Sequence, residues 1–133
     1  MAHFLIVDDE PDLVRQMTAL LERAKHTVAA ASDGSEVLQA LGLEKAEAAL
    51  PDVVILDVMM PRENGYKVCA RLKDDPRKQD IPLIVLTGYT DFKEAFDKFP
   101  NVAAFLPKPF EPAQLLNTLA DVLYASRTKR PQN

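Results

Sequence analysis

The sequence predicts a doubly wound α/β domain, a five-stranded parallel sheet with helices on both faces. Three observations lead there. Short apolar runs alternate with longer amphipathic segments along the whole chain, and alternating β and α elements call for a parallel sheet covered on both sides. Three of the runs, Phe4-Leu5-Ile6-Val7, Val53-Val54-Ile55-Leu56 and Leu83-Ile84-Val85-Leu86, are apolar at every position, as strands buried on both faces are. Most of the runs then end on a residue with polar chemistry, and in such sheets the ligand crevice lies outside the carboxyl ends of the strands.

The elements follow in order. Phe4–Val7 is the first strand. The helix from Asp12 to Lys25 carries Leu13, Val14, Met17, Leu20, Leu21 and Ala24 at helical spacing, and Pro11 suits its first turn. Thr27 to Ala31 is a weak strand, poor in bulky side chains. Ser32-Asp33-Gly34 is a turn and cap signal before a helix from Ser35 to Leu50. Val53–Leu56 is the third strand. Pro61 and Asn64-Gly65 mark a loop, and a short helix from Tyr66 to Lys73 is broken by Asp74-Asp75-Pro76. Leu83–Leu86 is the fourth strand, and Asp91 to Phe99 is a helix ended by Pro100. Val102–Leu106 is the fifth strand. The last helix, Pro112 to Ser126, is expected to turn Leu115, Leu116, Leu119, Val122 and Leu123 inward, and Arg127–Asn133 reads as a flexible polar tail. The expected strand order is 2-1-3-4-5, the flavodoxin-like order.

Composition sets bounds. A chain of 133 residues is one domain, and hides roughly two thirds of its surface on folding without staples. With a single cysteine no internal disulfide forms, and a reducing, cytoplasmic setting is the simplest. No apolar run approaches the ~20 residues of a membrane helix, and Asp8-Asp9-Glu10 arrives too early for a signal peptide. A net charge of −4 weighs against a nucleic-acid binder.

Chemistry gathers at the strand ends. Asp8 and Asp9 follow the first run, Asp57 the third, Thr87 the fourth, and Lys108 the fifth. In the expected topology the three aspartates become neighbours, with Thr87 and Lys108 closing the other side. Three carboxylates in one crevice repel one another. Lys108 supplies one offsetting charge, and Mg²⁺ is the natural second because it accepts a few carboxylates, waters and a phosphoryl oxygen. A carboxylate beside a metal, an ammonium and a hydroxyl is equipped to accept a phosphoryl group.

Ile6-Val7-Asp8-Asp9-Glu10-Pro11, Ile55-Leu56-Asp57-Val58-Met59-Met60-Pro61, Asn64-Gly65-Tyr66, Leu86-Thr87-Gly88 and Pro107-Lys108-Pro109-Phe110 together resemble the receiver domain of two-component response regulators, single-domain and chemotaxis-regulator-like. The resemblance covers nearly the whole chain, with residues 1–126 as the receiver domain and 127–133 as its tail. It implies a stand-alone phosphoacceptor switch in a phosphorelay. Asp57 would be the site of phosphorylation, attacking the phosphohistidine of a sensor histidine kinase or histidine phosphotransfer protein. Asp9 would bind Mg²⁺ directly, Asp8 directly or through water, and Asp57 and the Met59 backbone carbonyl would complete the protein ligands. Lys108 would pair with the phosphoryl oxygens. The Thr87 hydroxyl would move toward them while the switch aromatic Phe105 rotates inward, altering the face made by the fourth helix, fifth strand and fifth helix for a downstream partner protein. Lys108-Pro109 would be a cis bond, as in the family. The resemblance implies a monomer or weak dimer, without nucleic-acid or membrane partners. It also implies no enzyme in the ordinary sense, only a protein that catalyses its own phosphorylation and dephosphorylation.

Departures from the commonest pattern are few. Phe105 lacks a tyrosine hydroxyl, the stretch from Ala40 to Pro51 is a few residues long, and Pro107 stiffens the approach to Lys108. Met59 and Tyr89 offer no carboxylate or amide to orient an attacking water, so slow self-dephosphorylation is expected. Blander roles stay open. Asp8 and Asp9 could cap the following helix, Asp57 could begin a turn, Thr87 and Lys108 could be ordinary strand-end and loop residues, and Phe105 a plain core aromatic. Cys69, His3 and His26 are assigned no function. A dehalogenase-like phosphatase would need an aspartate where Met59 stands. A nucleotide binder would need a glycine-rich loop that is absent. A phosphorylation-independent scaffold on the same fold is the alternative.

Overall fold

The computed structural model of the chain describes residues 2–31, 51–57, 70, 72, 74, 80–87 and 101–129. Five strands form one parallel sheet: β1 (His3–Val7), β2 (Thr27–Ala31), β3 (Val53–Asp57), β4 (Leu83–Thr87) and β5 (Val102–Pro107), in the order β2-β1-β3-β4-β5. This is the predicted order. Every adjacent pair is parallel, so all five strands present their carboxyl ends to the same edge.

Alternation along the strands sorts side chains to two cores. Leu5, Val7, Val54, Leu56, Leu83 and Val85 face one side, with Ala31, Leu72 and Ile81 packed among them. Phe4, Ile6, Val53, Ile55, Ile84 and Leu86 face the other, against Met17 and Leu21 of helix α1 (Pro11–Arg23) and Leu115, Leu119 and Val122 of the C-terminal helix (Pro112–Lys129). The central strands β1, β3 and β4 are apolar over Phe4–Val7, Val53–Leu56 and Leu83–Leu86 because both faces are covered. The edge strand β2 is alanine-rich and mostly half-buried or exposed, having one strand neighbour and less surface to hide.

Helix α1 starts where its sequence directs. Pro11 sits in the first turn, Asp12 is acidic at the N-terminal end and Arg23 is basic at the C-terminal end, each favourable to the helix dipole. Met17 and Leu21, one turn apart and fully buried, anchor it to the sheet with about 2 kcal/mol of apolar burial each. The helix closes through Ala24, and Lys25 then adopts φ 72°, a left-handed position usually taken by glycine.

Several boundaries differ from expectation by small amounts. Strand β1 begins at His3, α1 runs from Pro11 to Arg23 rather than Asp12 to Lys25, and β5 extends through Pro107. The C-terminal helix reaches Lys129, three residues beyond the expected end at Ser126; Arg127 and Lys129 are good helix formers and their charges suit a helix C-terminus. Leu116, expected inward, is exposed. Leu115, Leu119 and Val122 recur at a helical period and define the buried stripe, and Leu116 lies about 100° around the helix from Leu115. Ala24 is likewise exposed. The helices expected at 35–50 and 91–99, together with Cys69, lie outside the described residues. Of the one expected at 66–73, Ala70 and Leu72 are described and helical. No described helix is long and apolar enough to cross a membrane.

Candidate functional site

The register explains why the acidic residues meet. Val7 pairs with Leu56 across β1 and β3, so the next residues, Asp8 and Asp57, leave adjacent strands level with each other. Asp57 is itself paired with Leu86 of β4. The Asp8 amide donates to the Ala31 carbonyl at 3.1 Å, which carries the sheet pairing one residue beyond β1. Both carboxylates are buried, and Asp9 beside them is exposed. One carboxylate oxygen from each of Asp8, Asp9 and Asp57 lies within 4.8 Å of the others. Among the described residues these three form a cluster able to hold a metal ion.

Lys108 reaches the same point from the far side of the sheet. It follows the last residue of β5 and is joined to the next residue, Pro109, by a cis peptide bond. Its ammonium donates to Asp8 Oδ2 at 3.0 Å, Glu10 Oε1 at 3.1 Å and Asp57 Oδ2 at 3.2 Å. An ammonium has three N–H donors, and all three are committed. The Asp8 side chain is entirely shielded and Lys108 nearly so, whereas the Glu10 side chain is 60% exposed.

The charges respond to this setting. Burial pushes the Asp8 carboxyl above its ordinary value, and the nearby negative charge of Asp57 adds to the rise; the Glu10 amide and the Lys108 ammonium only partly offset them. For Lys108 burial works against the charge, but the hydrogen bond to Asp8, the fields of Asp57 and Asp8 and the bond to Glu10 outweigh it and hold the ammonium above its ordinary value. The two directions agree physically. One lysine gains three carboxylates, whereas buried Asp8 gives up water and shares a single cation.

Thr87 ends β4 and its backbone pairs with Pro107 of β5, one residue before Lys108. Phe105 is half-buried, level with Val85 in the sheet and packed against the core cluster that includes Val85. Met59 and Tyr89 lie outside the described residues. Glu10 was present in the motif but had no role assigned to it. It stands at the N-cap of α1, where glutamate is a poor capping type, and makes no side-chain cap there; its carboxylate instead meets Lys108.

A carboxylate held beside an ammonium and two further carboxylates suits transfer of an anionic group once a cation balances the cluster. Residues 4–120 match the response regulator receiver domain. The chain is 34% identical over 124 residues to Protein PilH of Pseudomonas aeruginosa, covering 92% of this chain and 98% of PilH. It is also 34% identical to the alkaline phosphatase synthesis transcriptional regulatory protein PhoP of Bacillus subtilis, covering 97% of this chain but 51% of PhoP; the chain thus spans about half of that longer relative. Among solved structures, the chemotaxis response regulator CheY4 of Vibrio cholerae superposes with a TM-score of 0.80 at 32% identity, covering 92% of this chain and 98% of that one. With residues 4–120 matched by the receiver-domain model and PilH overlapped almost end to end, the chain belongs to the response regulator receiver domain family.

Proposed function

We propose that this receiver domain is a phosphoacceptor switch, with Asp57 as the residue that takes the phosphoryl group from a phosphohistidine on a sensor kinase or phosphotransfer protein. A carboxylate oxygen of Asp57 bonds to phosphorus as the bond from phosphorus to the donor imidazole breaks, and the electron pair of that bond returns to the ring nitrogen. The observation that carries this reading is the convergence of Lys108 on Asp57 and Asp8 at 3.2 and 3.0 Å. That placement leaves an ammonium beside the oxygen that would attack. Lys108 then holds the phosphoryl oxygens, and the shielding of Asp8 and Asp57 keeps water from competing.

The donor set fits Mg²⁺, a hard cation that favours oxygen ligands. Asp8, Asp9 and Asp57 would hold it, with the Met59 carbonyl as a further ligand. When bound it would supply positive charge to the phosphoryl oxygens. Thr87 at the end of β4 and Phe105 within the neighbouring β5 would report the modification to the surface around β5 and the C-terminal helix, where a downstream protein would bind. Near-complete overlap with PilH and CheY4 supports a single-domain switch of this kind, for which the cytoplasm is the expected setting. It turns over no separate substrate beyond its own phosphorylation and dephosphorylation.

Intact-mass measurement after incubation with acetyl phosphate and Mg²⁺ tests the reading. One phosphoryl adduct is expected, lost in Asp57→Asn and in EDTA. No adduct, together with no binding of beryllofluoride, would favour a phosphorylation-independent scaffold.

A further inference from the structure

The three bonds of Lys108 cannot all persist when a phosphoryl group arrives, because no N–H is left to meet it. The three partners differ in what they lose on release. The Asp8 side chain is completely shielded and Asp57 nearly so; a buried carboxylate that gives up its cation finds no water in exchange. Glu10, 60% exposed, is hydrated at once. Its backbone is fixed on both sides, the amide donating to Asp8 Oδ1 at 2.9 Å and the carbonyl accepting from Val14 at 3.0 Å, so the side chain alone is free to move. Glu10 and Lys108 also line a cavity of about 740 Å³ walled by Leu13, Met17, Leu20 and Phe110. The tether is therefore open to an incoming donor.

From this geometry we infer that Glu10 is a positioning residue of the resting state: its carboxylate ties up the third N–H of Lys108 and must let go before the ammonium can grip a phosphoryl group. The tether slows phosphoryl uptake by the unpartnered domain, and a donor that draws Glu10 away relieves it. This rests on the phosphoacceptor reading and adds to it a brake built into the site.

The test compares wild type, Glu10→Gln and Glu10→Asp, all in saturating Mg²⁺, with thermal melts to confirm folding. Glu10→Gln removes the charge. Glu10→Asp keeps the charge but is one methylene too short to reach Lys108, and aspartate at this position is drawn to cap α1. Both variants should form the adduct from acetyl phosphate about 2- to 5-fold faster than wild type, the factor expected for releasing an ion pair to an exposed carboxylate. Both should bind inorganic phosphate more tightly by a similar factor, read by NMR titration. Acceleration in Glu10→Gln alone would mean simple charge repulsion and overturn the tether. Unchanged or slower uptake in both would overturn it as well. If no protein forms an adduct, the phosphoacceptor reading fails, and phosphate affinity decides the tether separately: tighter in both variants sustains it, equal affinity ends it.

Discussion

Asp8 and Lys108 stand 100 positions apart in the chain and 3.0 Å apart in the fold, and the same ammonium reaches Asp57 at 3.2 Å. Lys108→Ala would remove the ammonium that two buried carboxylates share. Loss of roughly 3 kcal/mol is expected in metal-free protein, as for other buried pairs broken from one side. Urea unfolding in EDTA measures it, and added Mg²⁺ should restore part of the loss. A variant as stable as wild type would mean that the pairing does not compensate the buried charges.

The raised Asp8 carboxyl gives a pH signature. Its folded-state value lies above the ordinary 3.8, so the folded protein binds more protons than the unfolded chain in that window. Stability from this group therefore falls as pH rises from about 3.8 through the folded value, then levels. Metal-free wild type should lose stability relative to Asp8→Asn across that window, by calorimetry at matched ionic strength. Mg²⁺ competes with the same proton, so its affinity should climb over the same range.

Lys108 behaves in the opposite sense at high pH. Its folded value is raised above the ordinary 10.5, so the stability it confers is complete below 10.5 and disappears only as pH climbs through the higher folded value. The stability gap between wild type and Lys108→Ala should persist undiminished up to pH 10.5. A gap that closes well below that point would contradict the three-carboxylate environment.

Asp9 separates metal binding from folding. It is exposed and is not among the carboxylates bonded to Lys108. Asp9→Ala should change metal-free stability by no more than about 0.5 kcal/mol. Wild type at a Mg²⁺ concentration 100 times its Kd should gain about 2.7 kcal/mol, and Asp9→Ala should lose most of that gain at the same concentration. Melting curves with and without Mg²⁺ settle both halves.

Lys25 offers a stability test far from the site. With φ 72° it pays a steric penalty that glycine avoids, so Lys25→Gly should stabilise by roughly 0.5–1 kcal/mol. Denaturant midpoints at constant slope would show it.

Much of this molecule can be read from residues alone, for identifiable reasons. Runs such as Val53–Leu56 carry no polar residue, which only a strand buried on both faces tolerates, and parallel topology then carries Asp8, Asp57 and Lys108 to one edge. Side-chain direction was less legible. Leu116 shares a leucine-rich run with Leu115, and only the exact helical phase shows that it faces outward. Helix ends blurred because Arg127 and Lys129 suit a helix as well as a tail. Glu10 escaped notice because its partner is 98 positions away, a pairing that local pattern does not encode.

The distance in sequence between Asp8 and Lys108 also bears on how the protein is made. A chain emerging from the ribosome delivers Asp8 and Asp57 well before residue 108. Until then the growing sheet gathers these carboxylates without the Lys108 ammonium, and a prematurely terminated product never acquires it. The stretch after β5 both completes the site and offsets the repulsion of building it. Fragments ending earlier should fold poorly, expose apolar strands and fall to proteases.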